Sequence, residues 1–226
     1  MSSRLSLVTL SLVLVSLMVG CGGSEVFVRG DALPIDLTKE KILILPCDTW
    51  GFSGIMDETA AMGALILGVN GAFGSAAVDL NPLTPVFEAA GLKGMAYQLA
   101  SGVYHCIDYH QSFDLNDACG KGIEKVPAAI NQLVGLAMDK LGMSPKPTYI
   151  FALTVMSEGQ NLAGLQNYRV IACIFDTVKN LVHSCVYYTD STMADAMIPQ
   201  MSQIPGVAFG KLMEKAAAPK AAEPAK

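Results

Sequence analysis

The chain predicts an α/β fold, a mixed sheet of about five strands covered by helices. Three observations carry that expectation. Apolar runs of strand length recur at 41–46, 103–109, 149–156, 168–175 and 181–188. Between them stand stripes at the helical period: Leu92, Met95, Ala96 and Leu99, then Val126, Ile130, Leu133, Val134, Ala137 and Leu141. The order of the elements completes the case. Strands and helices alternate first, which favours right-handed parallel crossovers, and three closely spaced strands follow, which favour an antiparallel meander.

Each segment has its own reason. Met1 to Arg4 is a short basic start, and Leu5 to Val19 runs without a charge. Residues 1–20 therefore read as an export signal, too short and wrongly flanked for a spanning helix. Residues 21–40, with Gly, Pro and scattered charges, read as a tether to a single domain over 41–214. Lys41 to Pro46 reads KILILP, a buried strand ended by proline. Residues 59–78 form a Gly/Ala-rich insertion without a charge. Thr84 and Pro85 open a helix, as N-cap and first helical position. Val103 to Tyr109 reads as a strand, followed by a polar loop with Asp114, Asn116, Asp117 and Gly120. Ile123 to Leu141 is the clearest helix, with Pro127 in its first turn and Gly142 as its stop. Three strands follow, the last two joined by Asp176 to Asn180. The final helix begins near Thr192, with Asp195 completing a capping-box-like pair, and Pro199 and Pro205 are expected to kink or divide it. Residues 215–226, rich in Ala, Pro and Lys, read as a disordered tail.

Composition excludes whole classes of function. Apolar residues make up 52% of 226 and charged residues 15%, ample for a core and incompatible with a disordered chain. A pI near 5.1 argues against a nucleic-acid partner, which would require a basic patch. The body from Glu25 to Glu214 holds 11 basic and 19 acidic residues, a net −8, so anionic surfaces should repel it.

Five cysteines follow the signal and the cysteine that ends it: Cys47, Cys106, Cys119, Cys173 and Cys185. The odd number leaves at least one thiol free unless chains pair. Cys106 and Cys119 flank the polar loop, and Cys173 and Cys185 lie on consecutive strands; the connectivity stays open. On a strand, Cys106, Asp108 and His110 would share one face and offer sulfur, oxygen and nitrogen to a metal, with Cys119 as a fourth ligand for zinc. A partly exposed strand edge explains the same residues without metal. Gly68, Gly71 and Gly74 follow an apolar run with the spacing of a nucleotide loop. Asn81-Pro82 and Thr84-Pro85 cut the following helix short, and no Tyr is followed four residues later by Lys. No cofactor is expected. Ala60, Ala64, Gly68, Ala72 and Ala76 recur every four residues, a smooth ridge for close packing against the body or within a membrane. GxSxG, HExxH and GxxxxGKS/T are all absent.

Leu17-Met18-Val19-Gly20-Cys21 resembles the bacterial lipobox. That resemblance implies lipid attachment at Cys21, which would become the new amino terminus. Gly22, where Asp would imply inner-membrane retention, implies the outer membrane, facing the periplasm. From Lys41 to Glu214, KILILP, TYIFALTV, the YRVIACIFDTVKNLVHSCVYY hairpin with Asp176 at its turn, and the final helix are similar to a group of envelope lipoproteins. The group comprises the curli-secretion channel lipoproteins, the TolB amino-terminal domain and the lipoprotein activators of penicillin-binding proteins. It implies a non-enzymatic, lipid-anchored protein that binds or regulates an envelope partner of the secretion or cell-wall machinery. A second expectation is a homo-oligomeric secretion or pore-forming lipoprotein with residues 59–78 in the membrane. A third is a metal-binding enzyme around Cys106, Asp108 and His110.

Overall fold

The structure is a computed structural model and describes residues 23–110, 125–142 and 147–218. Its strands are β1 (Ser24–Val28), β2 (Ile42–Ile44), β3 (Asp48–Trp50), β4 (Ala77–Asp79), β5 (Tyr149–Gln160), β6 (Gln166–Asp176) and β7 (Leu181–Thr192). The helices are α1 (Glu58–Phe73), α2 (Thr84–Ala89), α3 (Met95–His110), α4 (Lys125–Leu141) and α5 (Met197–Ala217). One mixed sheet runs β1-β7-β6-β5-β2-β4. β1, β7, β6 and β5 are antiparallel neighbours, whereas β5, β2 and β4 run parallel. The predicted class holds, with seven strands among the described residues in place of about five.

Helices cover both faces, so the central strands are apolar on both sides and lack a polar alternation. Phe151, Leu153 and Val155 face one core with α1 and α5. Ile150 and Ala152 face a second core with α2, α3 and α4. β6 and β7 carry Cys173 and Cys185 at directly paired positions, and a disulfide joins them inside the second core. This is one of the two pairings the sequence left open.

α1 is the Gly/Ala-rich segment. Asp57 caps it, accepting from the Thr59 and Ala60 N–H groups at 2.9 and 3.2 Å. Its small residues serve close packing against α5. A Cβ added at Gly68 would lie 2.3 Å from the Ser202 carbonyl oxygen and 2.9 Å from Pro205 Cδ. The segment from Glu58 to Ala76 is long and apolar enough to cross a membrane by length and composition. Here it forms a layer with α5 over the sheet, and Ala77 and Val78, from the same predicted insertion, belong to β4.

Several expectations are corrected. Residues 21–40 were expected to form a tether, but Ser24–Val28 pairs along β7, and Ala32 and Ile35 beyond it are buried. The Arg29 guanidinium closes that edge, donating to the Val182 carbonyl at 3.0 Å and to Asp176 at 3.3 Å. Val103 to Tyr109 is helix, not strand. Ala96, Leu99, Ala100 and Val103 are buried at helical spacing, and that stripe overrides the strand propensity of the residues around it. Gly91 and Gly94 take φ of +75° and +66°, which separates α2 from α3 where one helix was expected. β7 runs on to Thr192, so Thr192 caps nothing, and α5 continues through Pro205 to Ala217, taking in the first residues of the expected tail.

His183 is buried in β7 beneath Leu33. Its Nε2 lies 2.9 Å from the Leu33 carbonyl oxygen, which can only accept, so Nε2 carries the proton. Nδ1, 2.9 Å from Ser184 Oγ, accepts from the hydroxyl. Burial holds the imidazole below its ordinary pKa. The unfolded chain thus binds a proton near pH 6.5 that the folded chain resists, and stability falls as pH drops through that window.

Two predictions follow from packing and titration. Gly68→Ala should lower stability by about 1–3 kcal/mol through overpacking, whereas Gly63→Ala, with nothing within 4 Å of its added Cβ, should raise it through helix propensity. Urea denaturation of the pair separates the effects, and equal shifts would contradict the close crossing. Between pH 7 and 5.5 the melting temperature should fall, and the fall should shrink in His183→Gln; an unchanged slope would mean that His183 titrates normally in the fold.

Candidate functional site

The parallel strands create a crevice at their carboxyl ends. After β2 the chain passes to α1 on one face of the sheet, and after the adjacent β4 it passes to α2 and α3 on the other. Adjacent parallel strands whose connections diverge leave an opening between them, the usual ligand position in open α/β sheets.

Local sequence shapes the opening. Ile44 pairs with Phe151 and Asp48 with Thr154, so the β2–β3 lane carries one residue more than β5 over this stretch. The extra residue falls around Pro46, which has no N–H to pair. The Cys47 N–H turns toward the β4 side and donates to Asn81 Oδ1 at 2.8 Å. Asn81 is buried and is held by Asp79 Oδ1, which accepts from its backbone N–H at 2.9 Å and from its side-chain amide. This Asp79–Asn81–Cys47 relay ties the two diverging loops together.

A cavity of about 180 Å³ opens there, lined by Leu45, Cys47 and Asp48 after β2, Phe87 of α2, Leu92 and Met95 beside the start of α3, and Leu133 of α4. That volume is on the scale a single aromatic ring fills. Asp48 is its one half-buried carboxylate. Its Oδ2 accepts from the Tyr97 N–H at 2.9 Å, and the Ala96 N–H also bonds to it. Both donors belong to the first turn of α3, so Asp48 occupies the position at a helix start where a phosphate binds in nucleotide-binding sheets. Burial nevertheless holds the Asp48 carboxyl above its ordinary range. Trp50 covers the neighbouring backbone: a Cβ on Gly94 would meet its ring at 3.2 Å, and its ring lies 4.9 Å from that of Tyr97. Lys93 and Glu88 pair at 3.4 Å on the exposed side.

Cys47 is the free thiol of the described residues. Burial, aided by the Asp79 and Asp48 charges, pushes it up to about 12, so it is a weak nucleophile. The glycines read as a nucleotide loop lie in α1 and at its end, where Gly68 packs on α5. The backbone of Cys106, Asp108 and His110 is helical, so the strand that was expected to carry them is absent. Their side chains, like Cys119 and the lipid-attachment candidate Cys21, lie outside the described ones. Among the described residues no three His, Cys, Asp or Glu side chains gather to hold a metal. Sequence reasoning missed Asp48 and Asn81. The signal for both was weak: an acid and an amide just after short apolar runs.

No family model and no curated protein sequence matches the chain. Among solved structures it is similar to the PelC dodecamer from Paraburkholderia phytofirmans, at 8% identity and a TM-score of 0.40, over 88% of this chain and 99% of that one. A single-substitution PelC variant from the same organism, also a dodecamer, matches at 7% identity and the same TM-score, over the same shares of the two chains.

The crevice generates a test of its own. Burial keeps the Cys47 thiol protonated at pH 8. Peptide mapping after brief alkylation of native protein should find Cys47 unmodified, and the same treatment in denaturant should modify it fully. Rapid native labelling would contradict the closed relay around it.

Proposed function

We propose that this is a non-enzymatic lipoprotein of the bacterial envelope, held at the periplasmic face of the outer membrane through lipid on Cys21. Its α/β domain binds or regulates an envelope protein partner. The observation that carries the anchor is the sequence around Cys21: a charge-free run of signal length ends at Leu-Met-Val-Gly-Cys. Support for binding over chemistry comes from the crevice. The Asp48 carboxylate is engaged in the cap of α3, and burial keeps the Cys47 thiol protonated. What remains is a largely apolar opening sized for one side chain of a partner, fringed by the Lys93–Glu88 pair.

The test is the intact mass of protein extracted gently from membranes. The proposal expects loss of residues 1–20 and a mass increment for acyl chains on Cys21, with Cys21→Ser recovered as soluble, folded protein. A mature chain without acyl chains would overturn the anchor. Extraction in mild detergent also weighs the alternative: a large discrete homo-oligomer would favour the secretion channel, and a monomer or dimer that cross-links to another envelope protein would favour the adaptor.

A further inference from the structure

We infer that the end of the sheet nearest Cys21 rests on the bilayer surface itself, with Leu162 and Met193 in contact with neutral phospholipid. This rests on the proposed lipid attachment and adds to it an orientation. The first argument is chain length. Ser24 is paired with Tyr188, and the Gly23 carbonyl accepts from the Thr189 N–H at 3.3 Å. Cys21 precedes Ser24 by three residues, which span about 10 Å at most when extended. An acyl chain on Cys21 therefore holds this end of the sheet, and no other part of the domain, beside the membrane.

The second argument is what that end presents. The β5–β6 hairpin projects furthest there, since Gln160 pairs with Gln166 and Gln166 with Thr192. At its tip Leu162 is fully exposed, at 110%, and Met193, just past β7, is 60% exposed; Trp50 is set back, paired with Met156. The tip holds Leu162 outward by its own bonds. Asn161 Oδ1 accepts from the Ala163 and Leu165 N–H groups at 3.0 Å each. The Asn161 N–H donates to the Leu165 carbonyl and the Gly164 N–H to the Asn161 carbonyl, both at 2.9 Å. With the Asn161, Ala163, Gly164 and Leu165 N–H groups bonded within the turn and no charge from Gly159 to Asn167, the hairpin suits the headgroup boundary. The opposite end differs. Arg29, Asp31 and Lys179 form an ion-pair cluster there, and Asp36 pairs with Lys39. Asp57, Asp190 and Asp195 near the membrane-facing end, with the net negative body, select neutral over anionic lipid. Two side chains are too few to hold the domain unaided. Once acyl chains keep them beside the bilayer, they set its orientation.

Trp50 is the chain's single tryptophan, so reporters are simple to place. Two full-length acylated variants are compared in phosphatidylcholine vesicles with and without brominated chains: Trp50→Phe with Leu162→Trp, and Trp50→Phe with Val178→Trp. Val178 is 76% exposed at the opposite end, so both sites accept the larger ring. Intact mass is read first on each sample. The inference expects the Leu162→Trp emission to fall about twofold or more in brominated vesicles, as for a ring at the acyl boundary, and the Val178→Trp emission to stay unchanged. Acylated protein in which neither reporter is quenched, or both equally, would overturn the orientation and leave the anchor standing. A mass without acyl chains would overturn both.

Discussion

Ser24–Val28 bonds along the outer edge of β7, and that pairing decides how the rest of the molecule meets its surroundings. It makes β7 an interior strand and places the start of the described chain at one end of the sheet. It also brings Arg29 over the opposite end, where the guanidinium reaches Asp176 and the Val182 carbonyl. Burying that charge is favourable only because its donors are matched by a carboxylate and a carbonyl. A detached first strand would take Arg29 away from Asp176 and the Val182 carbonyl and expose the edge of β7 to other chains.

The other half of the sheet follows a different logic. Three short parallel segments, β2, β3 and β4, lean on the long β5, with connections that diverge to opposite faces. The crevice between them is the expected place for a ligand in such a sheet. Here the protein has used that place for itself. Asp48 neutralises the start of α3, and Asn81 joins the two loops. The result is a rigid, mostly apolar opening beside Trp50, on the same side of the sheet as the β5–β6 hairpin.

Much of this was legible in the sequence, for identifiable reasons. β5, β6 and β7 announce themselves because burial on both faces makes them long apolar runs. α4 shows because its stripe is sustained and Gly142 follows it in the left-handed region. β3 and β4 are three residues each, too short to show any period, and exist through pairing with β5 and β2. β1 was hidden by the Gly and Pro around it and by its brevity: Val26 to Val28 favour a strand but are too few to show a period, and pairing with β7 fixes them. The segment from Val103 misled in the other direction: its β-branched and aromatic residues read as a strand, but its backbone continues the helix whose buried stripe runs from Ala96 to Val103. The crevice was illegible for a similar reason: Asp48 matters through a bond to Tyr97, forty-nine residues away.

The account stands or falls on β1 being part of the sheet and not a leash. Hydrogen exchange of the folded domain, read on the peptide spanning 24–28, tests this directly. Protection comparable to that of β7 is the expected result. Exchange at the rate of an unstructured chain would mean that the domain hangs free of whatever holds Cys21, and the arrangement described here would be wrong.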